Sequence, residues 1–413
     1  MFDEKISDYF EGASAKYLSA VDARPEKSNQ HEIGGLVKAG FGDFLGRPEK
    51  GSVISFKARM VFVRDELDVP IICEDYVSWY DSRHAMRAPE YRLYYKSNDV
   101  TNMLSEGDFF LIGKLRNGSL LLVFAPAGST TEFQLRVIFG VESVTDRFQA
   151  AALNTTSLAL PLRLVLEDIG LTFSSDPVGD DIWLDRILAR FDGVNFPSTA
   201  DFSMFSRETL EENVDPKISP DDAVIKWMAH EERLFRLLER HRVKDRLIQG
   251  FGEQGDDVDA FISYSLSVHN RRKSRAGYAF ESHLAFVFSE NGLRFEKGSG
   301  NNVTENKSKP DFLFPSFSEY KNLCYPTASL RLLGAKTTCK DRWRQVLSEG
   351  NRIKTKHLVT LEAAISEQQT AEMNASNLQL VVPAAIHSTY TKSQQEWLLS
   401  LSDFINEVRE LQQ

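Results

Sequence analysis

The spacing of apolar residues changes near residue 174, and this change restricts the chain to folds with two domains. Before it, short apolar and β-branched runs alternate with Gly, Asn and Pro, which is typical of short strands. After it, long segments carry apolar residues at helical spacing. A chain of 413 residues also exceeds one core of ordinary size. We predict a first domain at 1–172, a linker at 173–182 around the polar run SSDPVGDD, and a second domain at 183–413.

The first domain is predicted to be mostly β. Five segments have strand character: 52–63, 91–96, 108–115, 119–126 and 133–140. The sequence RNGS, which joins the third and fourth of them, is typical of a hairpin turn. Short strands at this spacing predict a barrel or a sandwich.

The second domain alternates between helical and strand patterns. Helices are predicted at 221–251, 276–292 and 341–356, and the tail from 395 to 413 is also helical in pattern. Strand-like runs fall at 311–316, 330–338, 357–363 and 378–383. This alternation predicts an α/β domain.

Charge is unevenly distributed along the chain. The net charge of −10 opposes binding to phosphates, yet seven Lys or Arg lie between Lys336 and Lys356 against two acids, and residues 271–275 read RRKSR. Such local basic surfaces suit a nucleic-acid partner. The three cysteines form no CxxC pair, and we find neither a basic leader nor an apolar run of about 18 residues. We therefore expect a cytoplasmic protein whose cysteines stay reduced.

Three residues carry a possible hydrolytic chemistry. Asp311 begins an apolar run, Lys336 ends another one 25 residues later, and Glu349 follows after 13 more. Carboxylates that bind Mg²⁺ beside a lysine can hydrolyse a phosphodiester, and Glu281 in the preceding helix would complete the acidic set. Alternatively, Asp311 would be a turn residue at the start of a strand, Lys336 a surface charge and Glu349 part of a solvated helix face, because these residue types are common in loops.

Helix geometry connects this set to base recognition. In the predicted helix 341–356, Arg342, Gln345 and Glu349 share one face. An arginine two turns from a catalytic acid suits an enzyme that reads bases beside the bond it cuts, because Arg makes a bidentate contact to guanine. An ordinary surface arginine fits the spacing as well.

Three stretches resemble the catalytic half of the EcoRII-type restriction endonucleases, in the same order and at similar intervals. They are SVHNRRKSRAG at 267–277, KPDFLFPS at 309–316 and KTTCKDRWRQ at 336–345. The resemblance extends from about residue 183 to the C-terminus. It implies a PD-(D/E)xK fold and Mg²⁺-dependent type II cleavage of double-stranded DNA at CCWGG, where W is A or T, with 5′-phosphate products.

The resemblance also implies individual roles. Asp311 and Glu349 would bind the metal, Lys336 would orient the attacking water, and Glu281 falls on the family's helical glutamate. A triplet would read the C:G pairs through hydrogen bonds to base edges. Its members are Lys340, Asp341 and Arg342.

Further DNA contacts are implied in the same half. The family's basic segment falls on Asn270, Arg271, Arg272 and Arg275, which would clamp the DNA backbone or contact inner pairs, with a solvated basic loop as the alternative. Enzymes of this branch are thought to extrude the central base pair, which requires a stacking partner. Trp227 would serve, although an indole at helical period is more often core. The surrounding KWMAHEE departs from the family pattern, so discrimination at the central pair stays open.

The first half resembles the effector domain of the same enzymes, a B3-like pseudobarrel, through KSNQHEIGG at 27–35 and YDSRHAMRAPEYRLYY at 80–95. Such a domain would place two arms in the major groove of a second copy of the recognition sequence and would regulate cleavage. The arm residues would be Lys27, Asn29 and His31 in the first, and Arg83, His84, Arg87 and Arg92 in the second. Alternatively, these residues would lie in loops and balance the charge of nearby acids.

Two other functions stay open at this stage. One is a non-cutting DNA-binding regulator with a degenerate nuclease half, which the presence of both acids and the lysine disfavours. The other is a repair nuclease of the same fold that recognises DNA structure, which the base-reading triplet disfavours. The sequence also leaves open whether the protein is a monomer or a homodimer, with pairing expected at least during double-strand cleavage.

Overall fold

The computed structural model describes most of the chain, in two compact units. The described residues are 5–23, 31–38, 40–49, 51–66, 69–83, 88–141, 149–151, 160–171, 180–192, 195–339 and 343–413. The first unit comprises residues 1–174 together with 363–370, and the second comprises 175–362 together with 371–413. No helix in the described ranges is both long and apolar enough to cross a bilayer.

The first unit is built on a sheet of eight strands. These are β1 (Phe10–Tyr17), β2 (Glu32–Ile33), β3 (Val53–Phe62), β4 (Ile71–Asp81), β5 (Tyr91–Tyr94), β6 (Phe109–Leu115), β7 (Leu120–Ala125) and β8 (Gln149–Ala151). Their order in the sheet is β2-β5-β4-β3-β7-β6-β1-β8. The β3–β7 pair is parallel and the other pairs are antiparallel. The unit is therefore mostly β, as predicted.

Both faces of the central strands are buried. On β6 and β7, Ile112 and Leu122 pack into one core cluster, whereas Leu111 and Val123 pack into another on the opposite face. Side chains alternate across a strand, so a strand that is buried on both faces must be apolar at every position. This explains why LLLVFA in β7 is a continuous apolar run.

Short helices cover this sheet. They are α1 (Ile6–Tyr9), α2 (Ala20–Ala23), α3 (Gly42–Leu45), α4 (Thr130–Phe139) and α5 (Leu160–Asp168). Helix α4 corrects the strand predicted at 133–140. Ser129 caps it by accepting from the Glu132 backbone N–H, and Gly140 ends it in the left-handed conformation at φ 68°. Leu135, Ile138 and Phe139 face the core at helical spacing, which the strand prediction overlooked.

Helices dominate the start of the second unit. In chain order the helices of this unit are α6 (Asp180–Arg190), α7 (Thr199–Thr209), α8 (Pro220–Gln249), α9 (Val258–Glu290), α10 (Phe317–Lys321), α11 (Trp343–Leu347), α12 (Glu367–Ala375, shared with the first unit at its start), α13 (Lys392–Gln395) and α14 (Leu401–Leu411). Helix α9 starts 18 residues before the predicted segment 276–292. The stretch 267–277 is therefore helical and not a loop.

Four strands form a mixed sheet in this unit, as expected for an α/β domain. They are β9 (Phe312–Phe314), β10 (Arg331–Lys336), β11 (Lys356–Thr360) and β12 (Leu378–Val381), in the order β12-β11-β10-β9. β9 runs antiparallel to β10, and β10, β11 and β12 are parallel. The register pairs Leu333 with Phe312 and Lys336 with Thr360.

The predicted helix 341–356 is shorter than expected. Helix α11 ends at Leu347, and the chain turns through Ser348 and Glu349 to Gly350, which has a φ of 59°. The side chain of Glu349 therefore lies in a turn, so it does not share a helix face with Gln345. A glycine with positive φ ends a helix at little steric cost, and this signal was present in the sequence SEGN.

Candidate active site

Asp311 and Lys336 are brought together by the antiparallel pairing of β9 and β10. Lys336 Nζ donates to Asp311 Oδ2 at 2.9 Å, and the Ala335 backbone N–H donates to the same oxygen at 2.7 Å. The Asp311 side chain is 18% exposed and that of Lys336 is 27% exposed. Two residues that are 25 apart in sequence thus form one half-buried, charge-assisted contact at the strand ends.

Glu349 belongs to the same electrostatic environment. It is half-buried, and burial followed by the negative charge of Asp311 raises its pKa to about 7. Lys336 and Lys356 act in the opposite direction. Lys356 itself is buried and donates to the Ile353 carbonyl at 3.0 Å, and burial lowers its pKa. The pKa of Glu349 thus stays raised in spite of the two lysines, chiefly because the carboxyl is buried.

The donor set fits a hard divalent cation such as Mg²⁺. Two carboxylates provide oxygen ligands, and Mg²⁺ usually takes one or two protein carboxylates while keeping water and phosphate oxygens. Within the described residues, no three His, Cys, Asp or Glu side chains are grouped as a metal site. The fit therefore depends on Asp311 and Glu349 alone.

Glu281 lies on α9 and is engaged by another lysine. Lys297 Nζ approaches Glu281 Oε2 at 2.6 Å and lies 5.4 Å from the centre of the Phe312 ring. Phe312 follows Asp311 directly, so Lys297 connects the helical glutamate to the start of β9. Lys297 was not predicted from the sequence. It lies five residues after the Asn-Gly pair that ends the helical pattern, and this position gave no indication of a role in the site.

The basic segment on α9 is only partly available to a ligand. Asn270 is exposed. Arg271 lies over the Phe196 ring at 4.1 Å, and Arg272 pairs with the buried Glu239 at 2.6 Å. Each of these arginines thus has an intramolecular role beside any contact to DNA.

Arg275 corrects the predicted DNA contact. It is buried, with its guanidinium 5.0 Å from the Phe202 ring and 4.7 Å from the Phe235 ring, and its Nη1 donates to the Pro197 carbonyl at 2.7 Å. Burial lowers its pKa. A guanidinium held between two rings belongs to the helical core, because a phosphate contact would require it to leave both rings.

Trp227 is also a core residue. It is 4% exposed, and its ring lies 5.7 Å from that of His283 and 5.6 Å from that of Phe286. An indole covered by two other rings is not offered to an extruded base. The helical period of the apolar residues around Trp227 had indicated this alternative.

Three predicted arm residues of the first unit are described, and acids hold the two arginines among them. Arg83 donates to Glu90 at 2.6 Å, and Arg92 contacts Glu90 at 3.1 Å and the buried Glu32 at 3.3 Å. His31 lies 5.3 Å from the Tyr95 ring. The other predicted contacts lie outside the described residues: Lys27, Asn29, His84, Arg87, Lys340, Asp341 and Arg342.

Glu362 is a buried acid that the sequence did not single out. It is 4% exposed, and its carboxylate accepts from the backbone N–H of Cys339, the residue directly before the triplet 340–342. Two residues before each of these partners, a second contact connects the same segments. Thr360 Oγ1 donates to the Thr337 carbonyl at 3.3 Å. These two hydrogen bonds thus connect the ends of β10 and β11, where Lys336 and Thr360 are the last paired residues. The only signal for this was an acid directly after an apolar strand.

A comparison with known families matches part of the chain. Residues 235–405 match the family described as EcoRII C terminal. This is the catalytic half of the family that the three sequence motifs resemble.

Individual relatives agree with that class. The chain is 40% identical over 215 residues to the type II restriction enzyme EcoRII of Escherichia coli, covering 52% of this chain and 51% of the relative. It is 27% identical over 157 residues to the type II restriction enzyme SsoII of Shigella sonnei, covering 36% of this chain and 50% of the relative. The chain therefore spans about half the length of the curated relatives that it matches.

A solved structure is more distantly similar. The complex of metal-depleted Ecl18kI with uncleaved, modified DNA has a TM-score of 0.44 and 21% sequence identity, covering 57% of this chain and 85% of that chain. At this score the likeness carries no argument about the site.

Proposed function

We propose that this protein is a type II restriction endonuclease that cleaves double-stranded DNA by Mg²⁺-dependent hydrolysis. The observation that carries the proposal is the contact of Lys336 with Asp311 beside Glu349, within a region of the EcoRII C-terminal family. Restriction enzymes act on DNA inside the cell, so we place it in the cytoplasm. The family also favours the PD-(D/E)xK fold for the second unit.

The residues of the site would divide the chemistry among them. Asp311 and Glu349 would hold the cation, which when bound neutralises charge on the phosphate and makes water a better nucleophile. The Lys336 ammonium, fixed by Asp311 at 2.9 Å, would orient the attacking water and stabilise negative charge that develops on the phosphate. The half-buried setting strengthens each of these interactions relative to water.

Recognition would come from the segment that follows Lys336. We propose that the triplet 340–342 reads C:G pairs of a CCWGG-like site, as in the resemblance, because donors and acceptors of Lys, Asp and Arg match base edges in the major groove. Glu362 supports this proposal, since it holds the Cys339 backbone at the point where the chain enters the triplet.

The first unit would bind a second copy of the site. Its mostly β fold is compatible with the B3-like pseudobarrel that we propose for it, and Arg83 and Arg92 lie side by side on Glu90. Occupation of one DNA site would then change cleavage at the other, by linkage.

The deciding experiment compares plasmids with no, one and two CCWGG sites, incubated with Mg²⁺ or with EDTA, followed by sequencing of the DNA ends. We expect cleavage with Mg²⁺ only at CCWGG, 5′-phosphate ends, and faster cleavage of the two-site plasmid. Binding without cleavage would favour a non-cutting regulator. Equal cleavage of the plasmid without sites would favour a structure-specific nuclease. Equal rates on one and two sites would remove the effector role of the first unit.

A further inference from the structure

Glu349 lies in a turn, residues 348–353, that joins α11 to β11. The next residue, Gly350, is buried and has a φ of 59°. A Cβ at Gly350 would lie only 2.7 Å from Leu332 Cδ1 on β10. The turn therefore lies directly against the strand that ends at Lys336, and its backbone path is closely confined.

Two backbone N–H groups of this turn donate to side chains from distant parts of the chain. The Asn351 N–H donates to Glu305 Oε2 at 3.1 Å. The Arg352 N–H donates to the Tyr320 hydroxyl oxygen at 3.4 Å. The Tyr320 hydroxyl in turn donates to the Glu305 carboxylate, 2.7 Å from each oxygen. A carboxylate and a hydroxyl that contact each other thus hold two successive residues directly after Gly350.

The side chain of Arg352 holds the same turn from another direction. Its Nη2 donates to the Tyr325 carbonyl at 3.0 Å, and its Nη1 donates to the Asn322 carbonyl at 3.1 Å. Nη1 also donates to the carbonyl of Tyr320, which lies near the end of α10. The last carbonyls of a helix have no partner within the helix, and a guanidinium can satisfy them. Arg352 therefore fastens the turn to the end of α10.

A buried lysine connects Glu305 to Glu349 by charge as well. Lys356 begins β11, and its ammonium interacts electrostatically with both carboxylates. Its Nζ also donates to the carbonyl of Ile353, the last residue of the turn. Glu305 thus influences Glu349 in two ways, through the turn backbone and through a cation that both acids share.

We propose that Glu305 and Arg352 are positioning residues for Glu349, which they hold where its carboxylate can bind the cation together with Asp311. Mg²⁺ requires near-ideal octahedral geometry, so its affinity depends on how precisely its carboxylate ligands are placed. Both residues would act through the turn, because the carboxylate oxygens of one and the terminal nitrogens of the other are bound to protein. The inference rests on the proposed function and deepens it, since it names residues that set the affinity for Mg²⁺.

The second unit contains a matched control for this arrangement. Arg331 pairs with Glu407 at 2.6 Å, and its Nη1 donates to the carbonyls of Ala328 at 2.7 Å and Leu330 at 2.8 Å. This arginine, too, combines an acid with loop carbonyls. It begins β10, however, whereas Lys336 ends that strand. Substitutions of this pair test what a structural arginine and a structural glutamate contribute at the other end of β10.

The test titrates Mg²⁺ into the full chain and follows the melting temperature. We define the Mg²⁺ midpoint as the concentration that gives half of the final rise. For Glu305→Ala and Arg352→Lys we expect this midpoint to increase about tenfold or more, as for other residues that orient metal ligands. The controls Glu407→Ala and Arg331→Lys should lower the melting temperature in EDTA but keep the wild-type midpoint. Glu305→Gln keeps an acceptor oxygen and should retain most of the affinity.

DNA binding and cleavage give a second measure. In EDTA, the affinity for a CCWGG duplex, measured by fluorescence anisotropy, should be the same for wild type, Glu305→Ala and Arg352→Lys. Their single-turnover cleavage should be slow at the wild-type Mg²⁺ midpoint and should recover at higher Mg²⁺ concentration. Circular dichroism in EDTA checks that each variant is folded. If Glu305→Ala does not fold, Arg352→Lys, which keeps the positive charge, decides the outcome.

The outcomes separate this proposal from the proposed function. Folded variants with the wild-type Mg²⁺ midpoint, or control variants with an equal increase, would make Glu305 and Arg352 purely structural and overturn the positioning role alone. The expected midpoints without cleavage of any plasmid would support the positioning role and defeat the nuclease proposal alone. A wild type whose melting temperature does not respond to Mg²⁺ would defeat both.

Discussion

Each unit contains a lysine–aspartate pair, and the two pairs differ in what surrounds them. In the first unit, Lys16 Nζ contacts Asp22 Oδ2 at 2.7 Å with side chains 8% and 5% exposed, and the Ser19 backbone N–H donates to the same carboxylate. In the second, Lys336 and Asp311 are 2.9 Å apart, with side chains 27% and 18% exposed. The first pair is therefore more deeply buried than the second.

The surroundings distinguish the Lys16–Asp22 pair from the Lys336–Asp311 pair of the candidate active site. Asp311 has a second carboxylate nearby, Glu349, whose pKa it helps to raise. A deeply buried pair with its hydrogen bonds made contributes to the fold, and removing one member leaves an uncompensated charge. A partly open site with two neighbouring carboxylates is less stable by itself and is suited to a cation, which in turn can bind a phosphate. The same residue types thus serve different ends.

The largest expected effect is on cleavage by Asp311→Ala. Because the substitution removes a proposed cation ligand and the partner of Lys336, we expect the rate of plasmid cleavage to fall about 10³-fold or more. The matched variant is Asp22→Ala, which should cleave at the wild-type rate per folded molecule. Single-turnover cleavage with Mg²⁺ measures both, and a wild-type rate for Asp311→Ala contradicts the assignment of the active site.

The two substitutions have the opposite order of effect on the free energy of unfolding. Asp22→Ala leaves Lys16 buried without its carboxylate, so we expect the free energy of unfolding to fall by about 3–5 kcal/mol. Asp311→Ala leaves Lys336 more exposed to water, and we expect a loss of about 1 kcal/mol or less. Urea unfolding in EDTA measures both. Equal losses would mean that the two pairs do not differ as described.

Glu349 provides a test by pH. A carboxyl whose pKa is raised on folding stabilises the folded state when protonated, and this contribution is lost as pH rises from its usual 4.5 through about 7. In EDTA, we expect Glu349→Gln to be more stable than wild type by about 1–2 kcal/mol at pH 8, after allowance for solvent screening, and equal to it near pH 4.5. The melting temperatures of wild type and of Glu349→Gln at each pH test this expectation.

Two controls sharpen this result. Glu410→Gln, at an exposed position of α14, should shift the melting temperature little at either pH. At pH 8, adding Mg²⁺ should raise the melting temperature of wild type more than that of Glu349→Gln, because the cation stabilises the ionised carboxylate. If the melting temperatures of wild type and of Glu349→Gln depend on pH to the same extent, the raised pKa of Glu349 is contradicted.

The smallest expected effect concerns Glu362 and is a loss of discrimination between DNA sequences. Glu362→Ala leaves the Cys339 N–H without its acceptor and loosens the entry to the triplet, so we expect the ratio of kcat/KM between CCWGG and a site with one changed base to fall about tenfold. Glu362→Gln keeps an acceptor and should retain most of the ratio. A loss of stability with an unchanged ratio would leave Glu362 a purely structural residue.

Local sequence patterns predicted much of the secondary structure of the second unit, but they predicted less of the candidate active site. The strands around Asp311 and Lys336 were predicted, because a buried strand needs a continuous apolar run. The helix predicted at 341–356 was too long, because the helical pattern of its charges continued past Gly350, where the backbone turns. Lys297 and Glu362 were missed, because their partners are distant in sequence.

The sequence by itself determined the resemblance to the EcoRII-type endonucleases and the α/β character of the second unit, since three ordered motifs and the alternation of elements are properties of a linear chain. The tertiary structure alone decided which charges are available. It buried Arg275 between two rings and Trp227 against His283, and it left Ile248 on α8 73% exposed. Periodicity shows that a helix has an apolar face, but only packing determines what covers that face.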